Sequence, residues 1–381
     1  MRRALVTAPL LALLLLVTQA GAAPGAQPGK VKQTPSPIRT LAVDWPRVAY
    51  GSGGRIHAWN VVTGATSVVK GEYSNAAHTI DAAQVAIAGT RVAWIKRVGY
   101  GNTELGEKLY TASIAGRAHV RKQGYIVARQ DSANAVGGWI AGVVGSGKVL
   151  AVSTWKSDRA ATSNEKLSRI TPTALRPIVT GPGAIVAQSV NGGHIAVLRS
   201  IAAWPADEPS TPTAQPTVGI YSTGGTLLRT IVVSTPVPPP PSCEDCVSGF
   251  PSTIQNAVAL TGDRLVLLTE TCLMPGSSPW TTTLQVYNWK NGALLQSWPV
   301  AFNPFPINVA APLAAYGRFA AVVGRRVHVI DLTTGKEIMT APSSGSPAAL
   351  DSHGLVYAAN AGAGHGKIVF APMSRLLAAA G

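Results

Sequence analysis

V-H-V-I-D-L-T-T-G-K-E-I-M, running from Val327 to Met339, reads as an apolar strand, a turn made of Asp331, Thr334 and Gly335, and the start of a second strand. Asp, Thr and Gly are residue types that favour turns. Related text recurs as I-H-A-W-N-V-V-T-G at Ile56 to Gly64, V-Y-N-W-K-N-G at Val286 to Gly292, and I-Y-S-T-G-G at Ile220 to Gly225. A strand–turn–strand unit repeated along one chain points to an array of small sheets.

Extending outward from this stretch, each unit starts with a strand of small apolar residues, turns at Gly or Asp, and returns as a strand rich in Val, Ala and Leu. The quoted hairpin then follows as third and fourth strands. The register gives seven units, with innermost strands at Leu41–Val43, Gln84–Ile87, Trp139–Val144, Ala184–Ser189, Ala257–Leu260, Ala310–Ala314 and Ala348–Asp351. In the third unit the fourth strand is expected around Leu175 to Val179. One such sheet is apolar on both faces and cannot stand alone; packing the sheets about an axis buries both faces, and closing the ring leaves no end. The expected fold is all-β, a seven-bladed β-propeller of four-stranded antiparallel blades, with six or eight blades as the alternatives.

Val329 to Lys336, and more loosely the other three turns, resemble the repeats of bacterial secreted propellers, including the pyrroloquinoline-quinone-type and WD-like families. The resemblance is one of pattern and implies a propeller fold. It implies no cofactor: the quinone enzymes depend on an adjacent Cys pair and a metal-binding carboxylate set at the central site, and neither is matched in this sequence.

Residues 1–22 read as an export signal: Arg2 and Arg3, an apolar run from Leu10 to Val17, then Ala20-Gly21-Ala22. The run is shorter than the ~20 residues of a spanning helix, and no later segment is long and apolar enough to span. A secreted or periplasmic protein is expected. Residues 23–38 read as a flexible Pro/Gly-rich leader, and 39–381 as a single propeller domain. The formal charge is +15, or +13 without Arg2 and Arg3. The basic residues are dispersed, with no run of four or more, so a weak association with polyanions is expected rather than a dedicated site.

In a four-stranded antiparallel blade, the first-to-second and third-to-fourth turns emerge on one side of the disc. The second-to-third turns and the blade-to-blade links emerge on the other. The sequence insertions at Arg97–Lys108, Trp155–Glu165, Ser200–Thr217, Ser234–Ser252, Thr269–Thr282 and Asn303–Asn308 all fall on the second side. Long loops gathered on one rim of a rigid scaffold are where binding sites usually lie. This rim carries the candidate binding residues: the aromatics Tyr100, Trp155, Trp204, Trp280, Phe302 and Phe305, with the acids Asp207, Glu208, Glu244, Asp245 and Glu270. Aromatic side chains there would stack on sugars or anchor a protein partner. Trp59, Trp94, Trp289 and Trp298 lie within the repeats and read as blade packing.

No G-x-S-x-G, P-loop or metalloprotease helix occurs, and neither H-x-H nor H-x-x-x-H is found. His57 and His328 hold the same place in their third strands, and His194 and His353 the same place at the start of their second strands, as repeat positions do. No metal site and no cofactor are expected. The small apolar innermost strands favour a non-enzymatic scaffold that binds a protein or glycan partner through the long-loop face. The alternatives are a hydrolase or lyase with its site at the axis, and a quinone-type dehydrogenase.

Cys243, Cys246 and Cys272 are the only thiols, and in an exported chain at least one disulfide is expected among them. Spacing does not fix which pair forms. Thiol titration of the exported protein in denaturant should find one free cysteine; three would contradict the expectation.

Overall fold

The computed structural model describes residues 29–69, 79–100, 104–114, 121–129, 137–157, 164–182, 184–200, 217–233, 253–271, 281–300, 312–342, 347–360 and 364–381. Strand β1 (Lys30–Thr34) comes first in the chain. Blade 1 is β2 (Ile38–Asp44), β3 (Arg47–Ser52), β4 (Arg55–Asn60) and β5 (Thr66–Val69). Blade 2 is β6 (Thr79–Ala88), β7 (Arg91–Tyr100), β8 (Glu104–Ser113) and β9 (Arg121–Arg129). Blade 3 is β10 (Gly137–Ser146), β11 (Val149–Ser157), β12 (Asn164–Ile170) and β13 (Leu175–Pro182), joined to blade 2 at Gly137 and Ala128.

Blade 4 is β14 (Ala184–Asn191), β15 (His194–Ser200), β16 (Thr217–Ser222) and β17 (Leu227–Val232). Blade 5 is β18 (Thr253–Thr261), β19 (Arg264–Thr271), β20 (Thr281–Asn288) and β21 (Leu294–Val300). Blade 6 is β22 (Leu313–Tyr316), β23 (Phe319–Val323), β24 (Arg326–Asp331) and β25 (Glu337–Pro342). Blade 7 is β26 (Ala348–Asp351), β27 (Gly354–Ala358) and β28 (Gly366–Pro372), with β1 as its fourth strand. Helix α1 (Met373–Ala379) follows, and its Leu376 is fully buried. The chain is a seven-bladed propeller of four-stranded antiparallel blades.

The quoted hairpin recurs in atomic detail. Asp331 Oδ1 accepts the Thr333 N–H at 2.9 Å, and the Gly335 N–H donates to the Asp331 carbonyl at 2.8 Å. In blade 1, Asn60 Oδ1 accepts the Val62 N–H at 2.9 Å and Gly64 donates to the Asn60 carbonyl; in blade 5, Asn288 accepts the Lys290 N–H and Gly292 donates back. Gly64, Gly225, Gly292 and Gly335 all have positive φ, where a Cβ would be strained. At Gly335 a Cβ would also meet the Trp298 ring, so the fourth strand of blade 5 packs against the turn of blade 6. Asp331 is buried and paired with Arg318. Burial would raise its carboxyl, but hydrogen bonds from Arg318 and Thr333 outweigh that and hold it below the ordinary value.

Among the described residues there is no single core. The buried apolar side chains divide into seven clusters, and each straddles two neighbouring blades. Val48, Tyr50 and Trp59 of blade 1 meet Val356, Ile368 and Phe370 of blade 7, so first and last blades share a core like any other pair. The ring is therefore closed by apolar burial as well as by strand pairing.

Four sequence readings change. The flexible leader assigned to 23–38 includes β1 from Lys30, which pairs antiparallel with β28 from Lys30↔Phe370 to Thr34↔Gly366. A strand at the rim of a blade needs one ladder of backbone bonds and little apolar surface, so its polar composition did not exclude it. The innermost strand of unit six is Leu313–Tyr316 rather than Ala310–Ala314; Ala310 and Ala311 lie outside the described residues. Most of the insertion Arg97–Lys108, and the described ends of Trp155–Glu165 and Thr269–Thr282, are strand, extending the second-to-third hairpins. Lastly, Asp351 pairs with Gly354, so His353 is a turn residue and matches Gly193 rather than His194, which pairs with Asn191.

Deleting residues 1–35 should cost about 5 kcal/mol, at ~1 kcal/mol for each lost ladder bond, and should promote association through the bared edge of β28. Deleting residues 1–28 should leave the melting temperature unchanged. Equal melting of the two truncated chains would contradict closure by β1.

Candidate functional site

The inner strand of each blade is a sheet edge, and an unpaired buried N–H or C=O is costly. Side chains from neighbouring blades meet that need. Thr40 Oγ1 accepts the Val85 N–H at 2.9 Å, and Gln84 Oε1 accepts the Val143 N–H at 2.6 Å. Gln188 Nε2 donates to the Gly142 carbonyl at 2.7 Å. Ser189 and Asn191 bind the N–H and C=O of Leu260, at 3.0 and 2.8 Å. Asn360 does the same for Ile38, accepting its N–H at 2.9 Å and donating to its carbonyl at 3.0 Å, and so clasps blade 7 to blade 1. At Gly142 a Cβ would meet both Gln84 and Gln188, which is why glycine sits between the two amides.

These strands surround an axial cavity of about 490 Å³, within the ~300–1,000 Å³ of small-ligand pockets. Its middle is lined by small apolar residues, including Ala86, Ala259 and Ala349. The inward Thr40, Gln84, Gln188 and Ser189 also line it, but the charged groups gather at the end where first strands turn into second strands: Asp44 and Asp351, with Ser146, Asn191, Trp45, Tyr316 and His353. Asp44 reaches across this end, its two oxygens accepting the Gly89 N–H at 2.5 Å and the Gly147 N–H at 2.9 Å. Asp351 Oδ1 accepts the His353 N–H at 2.8 Å, while Oδ2 is shielded from solvent and has no hydrogen-bond partner. Burial raises the Asp351 carboxyl above its ordinary value, and the negative charge of Asp44 adds to the rise. The His353 and Trp45 rings stack with centroids 4.3 Å apart and planes 4° apart.

The opposite end faces the long connections. Strand direction sends 201–216, 233–252, 272–280 and 301–312 to this loop face; the other, turn face carries 45–46, 192–193 and 262–263, its longest link being 114–120. Tyr100, Trp155 and Glu270 lie on the loop-face ends of β7, β11 and β19. Their side chains, and all of Trp204, Asp207, Glu208, Glu244, Asp245, Trp280, Phe302 and Phe305, lie outside the described residues, as do Cys243, Cys246 and Cys272. Trp59, Trp94 and Trp289 are buried between blades, as their positions in the repeats led one to expect.

Sequence reasoning passed over the axial carboxylates. Asp44, Asn191 and Asp351 each close an innermost strand just before its turn, so a polar residue at that recurring position was the available signal. Among the described residues no group of three or more His, Cys, Asp or Glu is placed to hold a metal, and no helix is long and apolar enough to cross a membrane.

No family model matches the chain, and no curated protein matches it. Among solved structures, the chain is similar to a chain of the mitotic checkpoint complex, with 12% identity and a TM-score of 0.49 over 96% of this chain and 99% of that one. It is also similar to the AfRom2 CNH domain, at 12% identity and a TM-score of 0.47 over 91% and 98%. The WD40 domain of Neurospora crassa Pan2 gives 12% identity and a TM-score of 0.43 over 88% and 90%. These likenesses decide nothing about a ligand.

A raised carboxyl favours folding fully below the unfolded value near 3.8 and loses that contribution as pH rises through the folded value. Asp351 therefore contributes less to folding at neutral pH than in acid. Asp351→Asn keeps the acceptor for the His353 N–H, so this variant should melt at or above the parent at neutral pH. Its advantage should shrink on acidification toward about pH 3. An advantage independent of pH, or a variant that melts lower at neutral pH, would contradict this account of Asp351.

Proposed function

We propose that this propeller is an exported, non-enzymatic scaffold that binds a protein partner through its loop face. The observation that carries the reading is the sorting of connections: 201–216, 233–252, 272–280 and 301–312 all leave on one side of a ring whose other side is held by tight turns. A rigid disc with variable chain on one face is the arrangement in which binding residues are varied without disturbing the core. Export rests on the signal-like residues 1–22. It is compatible with ring closure only if the protein is cut ahead of Lys30, because β1 has to stay with the mature chain.

The partner surface is best drawn from Trp204 and Trp280, with Phe302 and Phe305, since tryptophan is enriched among the few residues that dominate protein interfaces and aromatics are enriched in them generally. A glycan would use the same rings as stacking platforms.

Photo-crosslinking residues placed at Trp204 and Trp280, and as controls at Thr63 and Asn291 on the turn face, test the reading in the native producer. Protein adducts should form from the first pair and not from the second. Adducts from the turn-face controls alone, or from both pairs equally, would contradict it.

A further inference from the structure

The chain carries 32 Lys and Arg against 17 Asp and Glu. Yet among the described residues lining the axial cavity there is no Lys, Arg or Glu; the charged or chargeable groups are Asp44, Asp351, His353 and Tyr316. A basic protein therefore holds a pocket of the opposite sign at the turn-face end of its axis. Both carboxylates are fixed before any ligand arrives, Asp44 by the Gly89 and Gly147 amides and Asp351 by the His353 amide. Fixed groups lose little freedom on binding, which is the main advantage of a preorganised site.

Beside them the Trp45 ring is held on one side by His353, at 4.3 Å, and tilts against Phe370 at 5.0 Å. Aromatic rings next to carboxylates suit an organic cation, because the ring face and the oxygens both attract positive charge. Burial beside Asp44 disfavours the charge of Asp351, and the His353 and Gly354 amides offset this only in part. An arriving cation at the cavity side of the carboxylate would relieve the remainder. The small apolar wall above, with Ala86, Ala259 and Ala349, suits a short aliphatic body.

We infer that this end of the axial cavity binds a small organic cation, an ammonium or guanidinium group on a short aliphatic chain. The cation sits between the carboxylates of Asp44 and Asp351 and against the Trp45–His353 stack. The site lies on the face opposite the proposed partner surface and stands or falls separately from it. The excess positive charge of the whole chain sharpens the test, because it disfavours unspecific binding of cations elsewhere.

Isothermal titration of the full chain with agmatine at neutral pH and physiological salt is the direct experiment, with the uncharged 1,5-pentanediol as control. Agmatine should bind and the diol should not. Asp351→Asn and Asp44→Asn should each weaken agmatine at least about tenfold. Because Asp44 also holds two turns, Asp351→Asn carries the test alone should Asp44→Asn fail to fold. No agmatine binding by the parent chain, equal affinity in the folded variants, or equal binding of the diol would overturn the inference.

Discussion

The ladder between Lys30–Thr34 and Gly366–Phe370 ties the two ends of the chain into one blade, and the rest of the architecture depends on it. Seven wedge-shaped sheets in a closed ring share seven apolar interfaces; opening the ring at any point would bare two apolar faces at once. The interface between blades 7 and 1 contains residues as buried as any other, including Val48, Val356 and Ile368. Asn360 adds a reciprocal pair of hydrogen bonds to Ile38 at the same seam. Folding therefore cannot finish until the first described strand meets the last, a contact between opposite ends of the sequence and entropically expensive to form.

The inner rim follows from the same geometry. Every innermost strand presents an unpaired edge toward its neighbours, and short polar side chains from adjacent blades satisfy it. Thr40, Gln84, Gln188, Ser189 and Asn191 act in this way, each bonding the backbone of an adjacent blade. The axis is thus lined by groups chosen first to hold blades together. Asp44 shows how the two roles coincide: its carboxylate spans from blade 1 to the turns of blades 2 and 3 and places a negative charge at the mouth of the cavity.

Much of this was legible in the chain. The turn chemistry of Val327 to Met339 announced the hairpin, and Asn60, Asn288 and Ser222 repeat it because each offers an acceptor to the turn backbone where a glycine follows. The small apolar inner strands and the seven-unit register followed from periodicity alone. Strand β1 was not legible: Lys30–Thr34 alternates weakly, exposes Val31 and has no hairpin partner nearby in sequence, so only the incomplete blade 7 reveals its place. The axial carboxylates escaped for a related reason. Asp44 and Asp351 stand far apart in the chain and read singly as turn residues; the ring alone makes them neighbours. Strand direction alone assigns the long connections to one side of the ring, whereas single aromatic and acidic residues within them carry no periodic signature.

Native-state hydrogen exchange, read by mass spectrometry on peptides spanning Lys30–Thr34, measures closure where it happens. Amides of β1 that pair with β28 should exchange only through global unfolding, as slowly as those of the inner ladder between β23 and β24. Exchange of β1 that is hundreds of times faster than the β23–β24 ladder, in the manner of a frayed terminus, would contradict a ring shut by its N-terminal strand.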